Sequence, residues 1–223
     1  TSGQKAPIQW SVSQSQNVKW KKVLPEGGQS GIAVWGDKLF LTIMKPVELK
    51  EGQKKVNKTQ LRGSTIQALC INADNGEILW NREIVGTVQS QYMSGFSDSS
   101  TPSPATDGKY VWFVNASGKM CCFDFKGTLI WERTWQPLEK LNGVKFPFNK
   151  QHEPILYNDL IINMEPLVEE QGERVKGWHY LYGLDKLTGE VKWISEDALT
   201  HYNTPSFNKL VDGKAAIMIG RGG

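Results

Sequence analysis

One phrase is written three times in this chain, and it restricts the fold more than any other feature. Leu181-Tyr182-Gly183-Leu184-Asp185-Lys186-Leu187-Thr188-Gly189-Glu190-Val191-Lys192-Trp193 is an apolar run, a polar turn ending on glycine, and a short run ending on tryptophan. Ala68 to Trp80 repeats it with Asn72 at the Asp position, and Met120 to Trp131 repeats it with a turn one residue shorter. In each copy the tryptophan (Trp80, Trp131, Trp193) follows the turn glycine (Gly76, Gly127, Gly189) by four positions. The tryptophans are 51 and 62 residues apart, a spacing that fits a recurring supersecondary unit.

A second signature precedes each copy. Gly31-Ile32-Ala33-Val34-Trp35-Gly36-Asp37-Lys38-Leu39-Phe40-Leu41 reads as strand, tight turn, strand. So do Thr101 to Phe113, Glu153 to Ile162 and Thr204 to Ile219, turning at Asp107-Gly108, Asn158-Asp159 and Asp212-Gly213. Such residues tolerate the positive φ that hairpin turns require. The unit is therefore four strands, and the expected fold class is all-β, a β-propeller of four-stranded antiparallel blades.

The expected organisation is a lead-in over 1–16 and a propeller over 17–223. Its blades fall at about 30–84, 99–135 and 152–196, with a partial one at 203–220. Asn17 to Leu24, centred on Trp20, reads as a stray tryptophan strand fit for ring closure. About three and a half blades leave exposed flanks, so the expected setting is a ring of roughly seven or eight blades, its remainder supplied by a longer parent chain or, as the second choice, by a partner copy.

Charge and composition exclude some classes. Lys and Arg exceed Asp and Glu by 26 − 23 = +3, too little to argue for nucleic acid. No run reaches the length of a membrane-spanning helix. Nine tryptophans in 223 residues, three at one repeat position, suggest flat wedges between neighbouring sheets. Cys121 and Cys122 are adjacent, but the repeat puts them mid-strand, where neighbours face opposite sides and cannot readily join. Cys70 shares the repeat position of Cys122.

The phrase resembles the repeat of pyrroloquinoline-quinone-like, or quinoprotein-type, β-propellers over nearly the whole chain. The openings at Gln29 to Gly36 and Asp98 to Pro102 are similar to those of exported bacterial members without assigned activity. The resemblance implies a periplasmic or extracellular protein whose export signal has been removed. It also implies two kinds of function, because this superfamily holds both dehydrogenases and non-enzymatic scaffolds. The dehydrogenases carry a disulfide of adjacent cysteines over the quinone, a tryptophan floor, a Ca²⁺ site and an Asp base. That set finds no place in this sequence, so no cofactor or metal is expected, and PQQ with Ca²⁺ enters only under the alternative reading.

The leading expectation is a non-enzymatic binding or scaffolding propeller of the cell envelope, with a protein or carbohydrate partner. A PQQ-dependent dehydrogenase fragment and a polysaccharide-binding propeller are the alternatives, the latter on Trp112, Trp135 and Trp178 as exposed aromatics. Catalytic residues cannot be assigned from the pattern. The ligand-binding candidates stand at the channel mouth, just before each inner strand: Asp98 and Ser100, His152 and Glu153, His201 and Asn203. A His–Glu set there could hold a cation or act as an acid/base pair. His179 is expected at a surface or between blades. Two polar insertions, Lys45–Thr65 and Glu165–Gly177, are further binding candidates. Asn57-Lys58-Thr59 and Asn115-Ala116-Ser117 match the glycosylation sequon.

Overall fold

The computed structural model describes residues 7–46, 64–87, 98–137, 140–141, 144–145, 153–166, 179–196, 206–210 and 212–218. Every regular element among them is a β-strand. Blade one is β1 (Ala33–Trp35), β2 (Lys38–Met44), β3 (Thr65–Asn72) and β4 (Ile78–Val85). Blade two is β5 (Ala105–Thr106), β6 (Tyr110–Asn115), β7 (Lys119–Asp124) and β8 (Leu129–Thr134). A small hairpin, β9 (Lys140–Leu141) and β10 (Val144–Lys145), precedes blade three. Blade three is β11 (Ile155–Tyr157), β12 (Leu160–Glu165), β13 (Tyr180–Asp185) and β14 (Val191–Ile194). A two-stranded sheet, β15 (Ser206–Lys209) with β16 (Ala215–Met218), follows.

Each blade is an antiparallel meander in sequence order. The inner strands of successive blades touch, β1 against β5 and β5 against β11, as radial sheets around an axis require. The fold is therefore a set of β-propeller blades, as the repeat predicts. The described part of the Lys45–Thr65 insertion is its two ends only, and Glu165 and Pro166 alone represent the second insertion; the remainder of both lies outside the described residues.

Register repeats from blade to blade. Phe40, Trp112 and Ile162 stand opposite Ala33, Ala105 and Ile155 on the inner strand. Cys70, Cys122 and Gly183 stand opposite Trp80, Trp131 and Trp193 on the outer strand. The ladder slips immediately after each of those small residues, between Cys70 and Ile71, Cys122 and Phe123, and Gly183 and Leu184. A bulge at that point bends the outer strand next to its tryptophan.

Alternation then assigns the two faces of every blade. Phe40, Ala68, Cys70, Trp80 and Ile84 point forward from blade one, onto Val111, Phe113, Cys121 and Phe123 of blade two. Trp112, Val114, Met120, Cys122 and Trp131 point forward from blade two, onto Ile161, Tyr182 and Leu184 of blade three. Cys121 and Cys122 thus lie in different seams, as the strand reading requires, and all three cysteines are free and buried.

Residues 7–16 carry a single bridge, Ser11 to Gln16, and are largely exposed. Asn17 to Leu24 forms no strand, which corrects the sequence reading. Strand character requires a paired neighbour, and none lies beside this segment among the described residues. Its tryptophan nevertheless behaves as the repeat demands.

Candidate functional site: the seams between blades

The tryptophan and glycine of the repeat are partners across a seam, not within a blade. The Trp131 ring lies against Gly189 of blade three, 2.7 Å from where a β-carbon would stand, and its Nε1–H donates to the Lys186 carbonyl at 2.9 Å. Trp80 lies against Gly127 of blade two at 3.0 Å and donates to the Phe125 carbonyl at 3.1 Å. Trp20 lies against Gly76 of blade one at 2.7 Å and donates to the Ala73 carbonyl at 2.8 Å. Glycine is required twice over. Its φ is +80° at Gly127 and +74° at Gly189, and the indole fills the space of any side chain. An indole has one donor, so the buried N–H must meet an acceptor, and the turn carbonyl supplies it.

Polar residues finish each seam at the opposite end of the strands. Asn115 and Glu165 occupy one repeat position, the last of the second strand, and both reach back to the preceding blade. Asn115 Nδ2 donates to the Ser64 and Ile84 carbonyls at 2.6 and 2.8 Å. Glu165 is 1% exposed and accepts a two-pronged contact from the Arg133 guanidinium, with Nε at 3.0 Å and Nη2 at 2.9 Å. Asn163 Nδ2 donates to Glu165 Oε1, and Arg133 stacks 5.5 Å over the Tyr182 ring. The second insertion therefore leaves the blade from a fixed root, which Tyr182 reinforces by donating its hydroxyl to the Pro166 carbonyl.

The sequence-selected channel residues fall in the same framework. Ser100 is buried, and its hydroxyl accepts the Gln29 N–H at 3.0 Å and donates to Asp98 at 2.5 Å. Thr42 of blade one donates its hydroxyl to the Ser100 carbonyl at 2.9 Å. Asp98 is buried as well and also accepts the Ser100 N–H. Glu153 is half-buried and accepts the Ser103 hydroxyl at 2.5 Å, while the Gly31 N–H donates to that same hydroxyl at 2.8 Å. Gly31, Ser103 and Glu153 share one repeat position, two residues before the inner strand, so one hydrogen-bonded relay crosses three blades. His152, His201 and Asn203 lie outside the described residues. The structure thus brings Asp98 and Ser100 together and sets Glu153 in the next seam. Ser103 was missed because a lone serine carries no signal until the repeats are aligned by pairing register.

Several sequence expectations change. Trp112 is fully buried, its Nε1–H donating to the Lys186 carbonyl at 3.1 Å, so it is a seam residue and not an exposed aromatic. Trp135 is half-buried, and Trp178 lies outside the described residues. His179 is 3% exposed, so of its two expected placements the surface one is excluded. Asn115 is fully buried with its amide committed to two carbonyls, so its sequon is closed to a transferase in the folded protein. The other sequon, Asn57 to Thr59, lies outside the described residues. Lys119–Glu132 and Lys45–Glu83 are partly exposed ion pairs on the outer strands.

Electrostatics follow burial and turn geometry. Burial raises all three thiols, Cys70 to about 11 and Cys121 to about 12, with Cys122 higher still. A neutral thiol is neither nucleophile nor metal ligand at ordinary pH. The Leu187 N–H, with the Thr188 N–H beside it, holds the Asp185 carboxylate below its usual range. These groups do not fit a bound quinone of the dehydrogenase type. The adjacent cysteines point into opposite seams and cannot close a disulfide over a ring. Among the described residues no group of three His, Cys, Asp or Glu side chains is placed to hold a metal ion.

No helix among the described residues is long and apolar enough to cross a membrane. No curated protein matches the chain. Among solved structures, BamB from Moraxella catarrhalis is 16% identical with a TM-score of 0.44, covering 95% of this chain and 66% of that one. A europium-containing methanol dehydrogenase is 12% identical with a TM-score of 0.46, over 76% of this chain and 25% of that one. The quinohemoprotein alcohol dehydrogenase from Comamonas testosteroni is 14% identical with a TM-score of 0.44, over 76% and 21%. This chain therefore spans about a quarter or less of either dehydrogenase. The model of the family described as outer membrane protein assembly factor BamB matches residues 62–223, and with its three copies of the tryptophan phrase the chain belongs to this PQQ-like repeat family.

Proposed function

We propose that the chain is a non-enzymatic binding or scaffolding propeller of the bacterial cell envelope, working in outer-membrane protein assembly and located in the periplasm. The family match over residues 62–223 carries the reading. Fold alone would not, because one propeller scaffold serves unrelated activities. The chemistry of the seams supports it. The buried cysteines pack in the seams, Ser100 and the Arg133–Glu165 pair bond across them, and Asp98 bonds to Ser100. Binding then falls to protein partners that meet rigid blades and the two insertions anchored on them.

The test has two arms. Tagged protein expressed in a Gram-negative host is crosslinked in the envelope and purified; recovery of outer-membrane assembly components is the expected result. Purified protein is also mixed with pyrroloquinoline quinone, Ca²⁺ and a panel of alcohols and sugars. Saturable dye reduction there would replace the scaffold reading with a dehydrogenase.

A further inference from the structure

Blade one differs from its neighbours at the residue before the docking glycine. Gly127 follows Lys126 and Gly189 follows Thr188, while Gly76 follows Asn75. Lysine and threonine side chains carry no carbonyl. Asparagine ends in an amide whose carbon is electrophilic, and a following glycine leaves the next peptide nitrogen unshielded because it has no β-carbon. Asp107 and Asp212 also precede glycines, but an ionised carboxylate is a far poorer target than an amide.

The turn brings the two reacting groups of blade one together. Asn75 is exposed, and Gly76 behind it is buried with φ +75°. Asn75 Oδ1 accepts the Glu77 N–H at 2.9 Å, which folds the side chain back over the Gly76 peptide. Two contacts restrain the nitrogen. The Gly76 N–H donates to the Asn72 carbonyl at 2.9 Å. The Trp20 ring lies 2.7 Å from where a Gly76 β-carbon would stand, and its Nε1–H is bonded to the Ala73 carbonyl in the same turn. The indole therefore presses on the peptide that has to move before the nitrogen can react.

We propose that Asn75–Gly76 is a self-modification site, open to deamidation and isoaspartate formation, and that the Trp20 dock sets its rate. The Gly76 nitrogen, having lost its proton to solvent base, attacks Asn75 Cγ and forms a new C–N bond. The bond from Cγ to the side-chain nitrogen breaks, and that nitrogen takes up a proton and leaves as ammonia. Water then opens the five-membered succinimide at either carbonyl. One opening gives aspartate. The other gives isoaspartate, in which the main chain runs through the former side chain and is one carbon longer. Nothing is oxidised or reduced, and water is the only co-reactant. The longer chain carries Gly76 off the indole, so dock and modification oppose one another. Either product also adds a negative charge between Asp74, the partner of Lys19, and Glu77. This inference stands on the turn geometry and is independent of the envelope role.

The test ages the whole chain at mildly alkaline pH and maps its peptides by mass spectrometry, with isoaspartyl methyltransferase labelling to mark the rearranged product. Asn142-Gly143, the other Asn–Gly pair of the sequence, serves as an internal clock. Asn75 should convert in the parent chain, and Asn75→Gln should abolish the signal. Trp20→Ala should speed conversion at Asn75 severalfold and leave that at Asn142 unchanged. In the modified fraction of the parent chain, the Trp20 indole N–H resonance should move to that of a solvent-exposed indole. Three results would overturn the proposal. One is an intact Asn75 after a time in which a free peptide copying Ile71 to Trp80 converts fully. Another is a Trp20→Ala chain whose Asn75 rate is unchanged, or raised only in step with Asn142. The third, which needs no variant, is an indole resonance that stays in place after modification.

Discussion

Trp131 and Trp193 occupy one repeat position and have different fates. Trp131 is 8% exposed, lies on Gly189 of the next blade and donates to a carbonyl there. Trp193 is half-buried and lies against Gly183 of its own blade, opposite it on the neighbouring strand. Blade two has Cys122 where blade three has Gly183, and a cysteine would occupy the ground on which Trp193 rests. Blade three meets β15 and β16 through a smaller cluster in which Trp193 joins Ile162, Met164, Leu181 and Ile217, with Tyr157 stacked on Phe207 at 4.2 Å. Docked on a neighbouring Gly turn the tryptophan closes a seam; among the described residues Trp193 meets no such turn and leans on its own blade.

The largest expected effect sharpens that contrast. Trp131→Ala should cost about 4 kcal/mol in chemical denaturation, as for a large core aromatic, and Trp193→Ala clearly less, since among the described residues Trp193 makes no docking hydrogen bond. Equal losses would break the comparison. Glu165→Ala should cost about 3 kcal/mol, because it strips the Arg133 guanidinium of a buried partner, whereas Lys119→Ala, which opens a partly exposed pair, should cost about 1 kcal/mol or less. Gly189→Ala should cost about 2 kcal/mol or more through positive φ and displacement of the indole. Gly213→Ala, at φ +80° with nothing nearby, should lose only the conformational part, about 1 kcal/mol. Thermal melts of the two variants separate these contributions.

A further effect is one of pH. The Cys121 thiol ionises near 9 when exposed and about 12 when folded, a raised value. Its contribution to stability is complete below pH 9 and is lost progressively as pH rises toward 12, because the unfolded chain releases the proton first. Denaturation midpoints should fall over that window, and Cys121→Ala should flatten the fall. Asp185 acts in the opposite sense. Its depressed value gives stability that is present at neutral pH and lost as pH falls below the ordinary carboxylate range.

Much of the fold was legible in the residues. Short apolar runs, hairpin turns such as Asp107-Gly108 and a tryptophan four residues past each turn glycine point to paired strands, in which alternate side chains take opposite faces. The opposite burial of Cys121 and Cys122 followed from the same alternation. The candidate site was less legible. Asp98, Ser100 and Glu153 were selected as channel polar groups, and the structure uses each of them in hydrogen bonds at or across the seams. Ser103 escaped notice, and Asn115 was read only as a sequon, because their value lies in partners 72 and 51 residues away.

Local chemistry, then, determined that this chain forms four-stranded units, where they turn, and that neighbouring residues of a strand take opposite faces. Which blade receives which tryptophan, and whether a polar group meets solvent or a neighbouring carbonyl, belonged to the tertiary structure alone. Those outcomes depend on atoms brought together from distant repeats, and a strand's own residues do not encode what is packed against them. Trp20 shows the division most plainly: its sequence says tryptophan strand, while among the described residues its surroundings supply a dock and apolar packing but no ladder.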